Sequence, residues 1–344
     1  MQLFEVFASR GFPRHSEFMS VRLKFWGVRG SIPSAPLPHQ WTRDFEELMR
    51  GFFRAGFHRS EQISDYLKTL PVPVVGGYGT STTCVEFKAG SQSILLDGGS
   101  GIRQFSDTEM TGPAAHGKAE YHIFMTHFHW DHLIGLPFFA PHFIKGNIIN
   151  YYAVQPELEE MIRGKFRKPY FPVPFDALSA DIRFHQLEPR KALKVGEISL
   201  TPYRLDHPDP CWGYRVEAGS KAYSHCVDTE GTRSTAEELG PDLPLYRDAD
   251  LMYFDAQYTL PELADKANWG HSASQIGLDI AFRENIKRVL FAHHDPGATT
   301  SQIQQLERQT QAYCDWRKKV AADHGLRLPS VDWAFAYEGL EIEL

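Results

Sequence analysis

The chain has 344 residues, of which 42% are hydrophobic, so it can bury a substantial core in one large domain and is not disordered in bulk. Its formal charge is −7, from 36 basic and 43 acidic side chains, which argues against a surface that grips long nucleic acid through many phosphates. No segment approaches about eighteen uninterrupted apolar residues, and the first residues lack an apolar run behind a basic start, so we expect neither a membrane span nor a conventional signal peptide.

The cysteines are scattered along the chain and form no CxxC pair; they are Cys84, Cys211, Cys226 and Cys314. This spacing suits a reducing compartment better than a disulfide framework. We therefore expect a cytoplasmic protein.

The first part of the chain predicts an N-terminal extension followed by a β-sheet. The extension comprises residues 1–20. Strands are expected near residues 21–28 (VRLKFWGV) and within residues 82–101 (TTCVEF and QSILLDGGSG), because these segments are rich in β-branched or aromatic residues and end at glycine.

Between these strands, residues 36–72 predict an inserted helical pair. Phe45, Leu48, Met49 and Phe52 recur at helical spacing and would form one apolar face. Such a face fits core packing, a dimer contact or a substrate lid, and the sequence leaves these alternatives open.

The rest of the chain predicts strands that alternate with helices. The expected strands are residues 121–126, 198–205, 221–228, 251–256 and 287–292. The expected helices are residues 272–285 and 301–325. Alternation of this kind indicates a layered α/β architecture.

The segment THFHWDH follows an apolar strand directly and carries four ligand-type side chains, His127, His129, Asp131 and His132. Imidazole and carboxylate together suit zinc, and also manganese or iron, whereas the absence of cysteine argues against a closed structural zinc site. The alternative, a solvated histidine-rich turn, fits poorly with so dense a motif at a strand end. The spacing predicts one loop that supplies ligands to two divalent ions.

THFHWDH resembles the metal-binding signature of the metallo-β-lactamase superfamily. Other segments resemble its phosphodiesterase-like and ribonuclease Z-like branch, in the family's order; they are KFWGVRGSIP, GGYGTSTTCVEF, ILLDGGSGIR, LDHPDPCWGYRVE, YSHCVDTE, DAQY with WGHSASQ, and FAHHDP. GGYGTST departs from the GGNTS form of the family, but this segment contains none of the expected metal ligands. The resemblance implies a four-layer αβ/βα sandwich over residues 21–344, with residues 36–72 as a helical insertion.

The resemblance also implies the ligand sets. One ion would be held by His127, His129 and His207, the other by Asp131, His132 and His293, and Asp228 would bridge them. Asp228 is the last residue of one predicted strand and His293 follows another, and open α/β sites often lie at such strand ends. Alternatives remain from the residues alone, since His207 suits a turn, Asp228 suits a cap, and His294 competes with its neighbour His293.

Three residues are expected to act in catalysis: Asp131, His271 and His294. His271 would protonate a leaving group, although a hydrogen bond to backbone at the start of a helix explains it equally well. His294, or Asp295, would orient ligands. The family also implies that Asp97 ties its strand end beside the site through hydrogen bonds.

Two further features bear on the substrate. The ribonuclease Z-like branch has a catalytic histidine where this chain has Phe254, which argues against efficient tRNA processing. A basic and aromatic run could meet an anionic substrate or form solvated surface; it consists of Arg163, Lys165, Phe166, Arg167, Lys168, Tyr170 and Phe171.

The sequence thus predicts a binuclear metal-dependent hydrolase. The favoured function is a phosphodiesterase that acts on a cyclic nucleotide or another small anionic phosphodiester through a hydroxide between the ions. The alternatives are a lactonase or thioester hydrolase, an RNA-processing nuclease, and a non-catalytic nucleotide-binding module. Related folds favour a homodimer, and neither long nucleic acid nor a membrane is expected as a partner.

Overall fold

The computed structural model describes residues 20–344. The predicted N-terminal extension, residues 1–20, lies outside the described residues except for Ser20. Across the described part, no helix combines the length and apolarity needed to cross a bilayer.

Fourteen strands lie within the described residues: β1 (Val21–Gly27), β2 (Cys84–Ala89), β3 (Gln92–Leu96), β4 (Glu120–Phe124), β5 (Ile148–Ala153), β6 (Asp181–Gln186), β7 (Leu193–Val195), β8 (Ile198–Arg204), β9 (Trp212–Ala218), β10 (Lys221–Cys226), β11 (Leu251–Asp255), β12 (Arg288–Ala292), β13 (Asp332–Phe335) and β14 (Glu341–Glu343). They form two seven-stranded sheets, ordered β14-β1-β2-β3-β4-β5-β6 and β13-β12-β11-β10-β9-β8-β7. Strands β3 to β6 pair in parallel in the first sheet, as do β10 to β13 in the second.

Ten α-helices connect these strands in residues 20–344: α1 (Pro38–Arg54), α2 (Ile63–Lys68), α3 (Val72–Gly76), α4 (Ile102–Glu109), α5 (Trp130–Leu133), α6 (Leu158–Lys165), α7 (Ala236–Leu239), α8 (Leu260–Leu263), α9 (Ser274–Glu284) and α10 (Thr300–Asp323). The predicted strands and helices are therefore present, with ends that differ by a few residues.

The two sheets pack face to face around a core of side chains from both. Phe25 stacks on Tyr253 with ring centroids 5.0 Å apart, and Phe87 stacks on Tyr223 at 6.1 Å. Each such fully buried aromatic ring contributes about 1.5–3 kcal/mol through its removal from water. This shared core aligns the ends of the strands in the two sheets.

Helices cover the outer face of each sheet. Ile102 of α4 and Ile162 of α6 join the core outside the first sheet. Ile280 of α9 and Ile303 of α10 join the core outside the second. The result is the four-layer αβ/βα sandwich that the resemblance implies.

Helices α1, α2 and α3 fill the predicted insertion between β1 and β2. Phe52 is buried against Phe57 and Tyr66, with ring centroids 5.5 and 5.4 Å away. Phe45 and Met49, in contrast, are 58% and 53% exposed. Core packing therefore explains only part of the apolar face, and a dimer contact or a lid stays open for the rest.

Three residues at the ends of strands have an unusual backbone conformation. Asp97, Asp228 and His293 follow β3, β10 and β12, and their φ angles are 64°, 61° and 61°. This left-handed conformation costs a residue with a side chain about 1–2 kcal/mol. The strain is offset by the surrounding packing, and it turns acidic and imidazole side chains at the ends of strands from both sheets toward one another.

Candidate metal centre

The THFHWDH loop leaves the end of β4 and runs into the single turn of α5. His127, Asp131 and His132 are at most 4% exposed, although each carries a polar group that water would otherwise solvate. Burial of such groups is costly unless partners replace the lost water. Their partners come from the ends of other strands.

Seven side chains form two overlapping groups, and Asp255 and His271 form a third with Asp228 and His293. Within each group the ligand atoms all lie within 4.8 Å of one another. The first group is His127, His129, His207 and Asp228, and the second is Asp131, His132, Asp228 and His293. Asp228 belongs to both groups, so its carboxylate occupies the position expected of a bridging ligand.

The carboxylate of Asp228 faces imidazoles on both sides. Oδ2 lies 3.3 Å from Nε2 of His127 and 3.9 Å from Nε2 of His207. Oδ1 lies 3.2 Å from Nε2 of His132 and 2.9 Å from Nε2 of His293. Despite these short distances, both oxygens of Asp228, and Nε2 of His127, His132 and His207, are buried and form no hydrogen bond of suitable geometry. Imidazole nitrogens and carboxylate oxygens left in this way are the ligand atoms that divalent cations such as zinc bind.

Electrostatics reinforce this fit. Burial lowers the pKa of His127 to about 4, outweighing the attraction of Asp228, so its ring is neutral and able to donate an electron pair. Burial also lowers the pKa of His293, but Asp228 and Asp131 reverse the effect and raise it to about 10. A metal ion at this position would therefore displace a proton from His293, as metal binding to histidine generally does.

Hydrogen bonds behind the cluster fix the orientation of two rings. Nδ1–H of His132 donates to Oδ2 of Asp97 at 2.8 Å, and Oδ1 of Asp97 accepts the backbone N–H of Thr126 at 2.8 Å. Nδ1–H of His293 donates to Oε1 of Gln257 at 2.9 Å. These bonds point the Nε2 atoms at Asp228, which is how outer partners orient metal-ligating histidines.

His129 is held differently from the other imidazoles. Its Nε2 lies 2.8 Å from Oδ2 of Asp209, and this contact lowers the pKa of Asp209. The pairing leaves Nδ1 as the ring nitrogen available to a cation. Asp209 stands two residues after His207 in the same turn, so one turn contributes a candidate ligand and the group that orients another.

We expect Asp209→Asn to weaken metal binding about 10–100-fold, the usual loss when an orienting carboxylate is removed. Competition with a fluorescent zinc chelator measures this change. Asp315→Asn, on the remote helix α10, is the matched control and should leave the affinity within about twofold. Equal affinities in wild type and Asp209→Asn would contradict an orienting role for Asp209.

His271 borders the cluster and is oriented by a carboxylate. Its Nδ1–H donates to Oδ2 of the fully buried Asp255 at 2.9 Å. The ring centroid lies 4.8 Å from that of His293 and 6.5 Å from that of His207. The alternative expected from the sequence, a hydrogen bond to backbone, is not the arrangement observed at Nδ1.

His294 points away from the cluster, which corrects its expected part in catalysis. Its Nε2–H donates to the carbonyl of Ala336 at 2.7 Å, and its ring stacks on Phe335 with centroids 5.9 Å apart. Burial lowers the pKa of His294 to about 3, so it is a neutral core side chain. Consecutive residues leaving a strand face opposite sides, and here His293 takes the side of the cluster.

Phe254 also faces away from the cluster. It is fully buried in the core between the second sheet and the outer helices, while its neighbour Asp255 reaches His271. Alternation along β11 explains the difference. The side chain at position 254 therefore faces the core, and the expectation that this departure from the family's histidine argues against efficient tRNA processing stays a prediction.

Three positioning residues escape prediction from the sequence: Asp209, Asp255 and Gln257. Asp209 lies in LDHPDP, and Asp255 and Gln257 lie in DAQY, so each belongs to a recognised segment. Carboxylate and amide groups at strand ends were the available signal. Their roles required distances, because each acts on a histidine far away in the sequence.

Known proteins resemble this chain in sequence and in fold. The family model described as the β-lactamase superfamily domain matches residues 92–294, more than half of the chain. Ribonuclease BN of Cronobacter sakazakii is 24% identical over 269 residues, which cover 63% of this chain and 84% of that protein.

Two solved structures share the fold. The metallo-β-lactamase fold protein YhfI from Bacillus subtilis matches with a TM-score of 0.61 and 16% identity, over 95% of this chain and 100% of that one. Zn²⁺-bound PqqB from Methylobacterium extorquens matches with a TM-score of 0.59 and 14% identity, over 94% and 100% of the two chains. The predicted family is thus confirmed, and the chain belongs to the β-lactamase superfamily as a hydrolase of the metallo-β-lactamase fold.

Proposed function

We propose that this hydrolase is a phosphodiesterase that uses two divalent metal ions, with zinc as the first choice and manganese or iron as alternatives. The observation that carries the proposal is the position of Asp228, whose two oxygens meet imidazoles from both halves of the cluster. His127, His129 and His207 would hold one ion. Asp131, His132 and His293 would hold the other. Two such ions would lower the pKa of a water molecule and neutralise negative charge on a phosphodiester.

The chain's own residues orient the groups of the site and supply a proton to the leaving group. Asp131 is held by the backbone N–H of Ser31, which donates to Oδ2 at 2.8 Å, and we propose it as both ligand and catalytic residue. Asp255 fixes the ring of His271 through Nδ1. This leaves Nε2 of His271 as the group that protonates the departing oxygen of the substrate.

A phosphodiester suits this site because its negative charge gains most from paired cations. We favour a cyclic nucleotide or another small phosphodiester, since the chain is acidic overall. An RNA end is the second candidate, and the resemblance to ribonuclease BN supports it. A lactonase or thioester hydrolase remains a third, because the same centre suits attack on a carbonyl.

The test compares substrates on protein of known metal content. Protein stripped with a chelator and reloaded with Zn²⁺ or Mn²⁺ should cleave bis-p-nitrophenyl phosphate at least about a hundredfold faster than the stripped form. It should act poorly on lactones and thioesters. Faster turnover of a lactone than of every phosphodiester would overturn the proposal, as would nucleotide binding without turnover.

Metal binding should also stabilise the fold. A ligand present at about 100 times its dissociation constant adds about 2.7 kcal/mol to the free energy of unfolding. Differential scanning fluorimetry should therefore show a melting temperature several degrees higher for the reloaded protein than for the stripped one.

The homodimer and the cytoplasmic location stay predictions, which analytical ultracentrifugation and fractionation of cells would test.

A further inference from the structure

A large cavity on the surface includes in its wall Trp130 of the THFHWDH loop, together with Ile134 and Phe138, which follow that loop in the chain. Its volume is about 1420 Å³, and its walls include Trp130, Phe138, Lys165, Arg167, Tyr170 and Phe171. Pockets for drug-sized ligands measure about 300–1,000 Å³, so this one has room for a base, a sugar and a phosphate together. The basic and aromatic run noted in the sequence forms one wall.

Trp130 connects the cavity to the metal centre. It stands between His129 and Asp131 in the chain, yet its side chain is 67% exposed while Asp131 is buried. Phe138 and Tyr170 on the same cavity are 57% and 80% exposed. Large aromatic rings left in water near a reaction centre are platforms on which nucleobases stack.

Lys165 adds a positive charge at the same place. Its ammonium lies 4.7 Å from the centre of the Trp130 ring. Burial lowers the pKa of Lys165, because the ammonium has lost part of its water. Among residues 20–344, no carboxylate forms an ion pair with Lys165, Arg167 or Lys168. An anionic group on a ligand would restore the lost solvation.

The cavity wall carries four acidic and four basic side chains, but the two kinds are not evenly distributed along it. Glu159 and Asp176 are occupied by Arg163, at 2.7 and 3.1 Å. Glu157 and Glu160 lie at the beginning of α6, whereas Lys165 is its last residue. The end of the helix nearest Trp130 is therefore positive.

We propose that this cavity, the Trp130–Lys165 subsite, binds a nucleotide unit of the substrate, with its base on the exposed aromatic rings and its phosphate beside Lys165. The inference rests on the proposed function and narrows it to phosphodiesters that carry a nucleoside next to the scissile bond. Simple alkyl or aryl phosphodiesters would bind the metal centre alone.

Two measurements on the metal-loaded full chain test this subsite. The first is calorimetric titration with thymidine 5′-monophosphate. The second compares KM for thymidine 5′-(p-nitrophenyl phosphate) with KM for methyl p-nitrophenyl phosphate, which has the same leaving group and no base. Tyr170→Ala and Lys165→Met are the main variants, with Lys165→Arg and Trp130→Phe as conservative ones.

Tyr170→Ala and Lys165→Met should each raise the dissociation constant of thymidine 5′-monophosphate about tenfold, as expected for loss of one stacked ring or one phosphate contact. They should raise KM for the thymidine ester about tenfold more than KM for the methyl ester. Lys165→Arg should keep most of the binding that Lys165→Met loses, and Trp130→Phe, which keeps an aromatic ring, should weaken binding less than Tyr170→Ala does. Trp316→Ala and Lys319→Met, on the exposed surface of α10, are the matched controls and should leave both quantities within about twofold.

Equal binding of the nucleotide in wild type and both main variants would overturn the subsite, as would equal changes in KM for the two esters. A change of oligomeric state in Tyr170→Ala without weaker nucleotide binding would likewise overturn it and assign the surface to a second copy of the chain. If the loaded protein cleaves neither ester, the proposed function fails, and the titration still decides whether the cavity binds nucleotides.

Discussion

Asp228→Ala should lower kcat for bis-p-nitrophenyl phosphate at least about a thousandfold, which corresponds to about 4 kcal/mol of transition-state stabilisation. The reason is that one carboxylate faces both candidate ion positions, through Oδ2 toward His127 and Oδ1 toward His132 and His293. Its removal leaves buried imidazoles with no shared anion. Steady-state kinetics and metal analysis on the same preparation would measure the effect.

A folded control separates chemistry from loss of structure. Asp279 lies on helix α9, away from the cluster, where it accepts one hydrogen bond from Tyr313 and pairs with Arg317. Asp279→Ala should keep kcat within about twofold. If Asp228→Ala retains more than a tenth of wild-type kcat with a full metal complement, Asp228 does not bridge the ions.

His271→Ala should produce the second large loss, and the size of that loss should depend on the leaving group. A positioned general acid contributes about 10²–10⁴-fold, but only when the departing oxygen needs a proton. We therefore expect a fall of at least about a hundredfold for a dinucleotide, whose leaving group is an alkoxide. For bis-p-nitrophenyl phosphate the fall should be less than about tenfold.

The dependence on leaving group distinguishes a proton donor from a structural histidine. Asp255→Asn should show the same pattern more weakly, because it loosens the ring of His271 while keeping the imidazole. His225→Gln, at a buried histidine behind the cluster beside Tyr223, should affect both substrates alike. Equal losses for the two substrates in His271→Ala would contradict the role of His271 in protonation.

Much of the fold and part of the site could be predicted from the sequence because the signals are local. The strand before His127 and the dense motif after it lie within a few residues of one another, and Asp228 and His293 follow apolar strands. The position where a strand ends can be predicted from the residues at that end. The family resemblance supplied the long-range pairing of ligands that local patterns do not contain.

The direction of side chains at strand ends could not be predicted. His293 and His294 are adjacent and chemically identical, yet a φ of 61° at His293 turns its ring to Asp228, while His294 bonds to Ala336. Phe254 illustrates the same limit, because the alternation of side chains along the strand decides which residue faces the cluster. Such choices depend on packing between two sheets that the sequence does not specify locally.

Seven side chains from distant parts of the chain should hold two metal ions with Asp228 between them. Anomalous X-ray diffraction at the zinc absorption edge, on crystals of the zinc-loaded protein, tests it most directly. We predict two peaks, one in contact with His127, His129 and His207 and one with Asp131, His132 and His293, both touching Asp228. A single peak, or metal bound away from Asp228, would contradict the account.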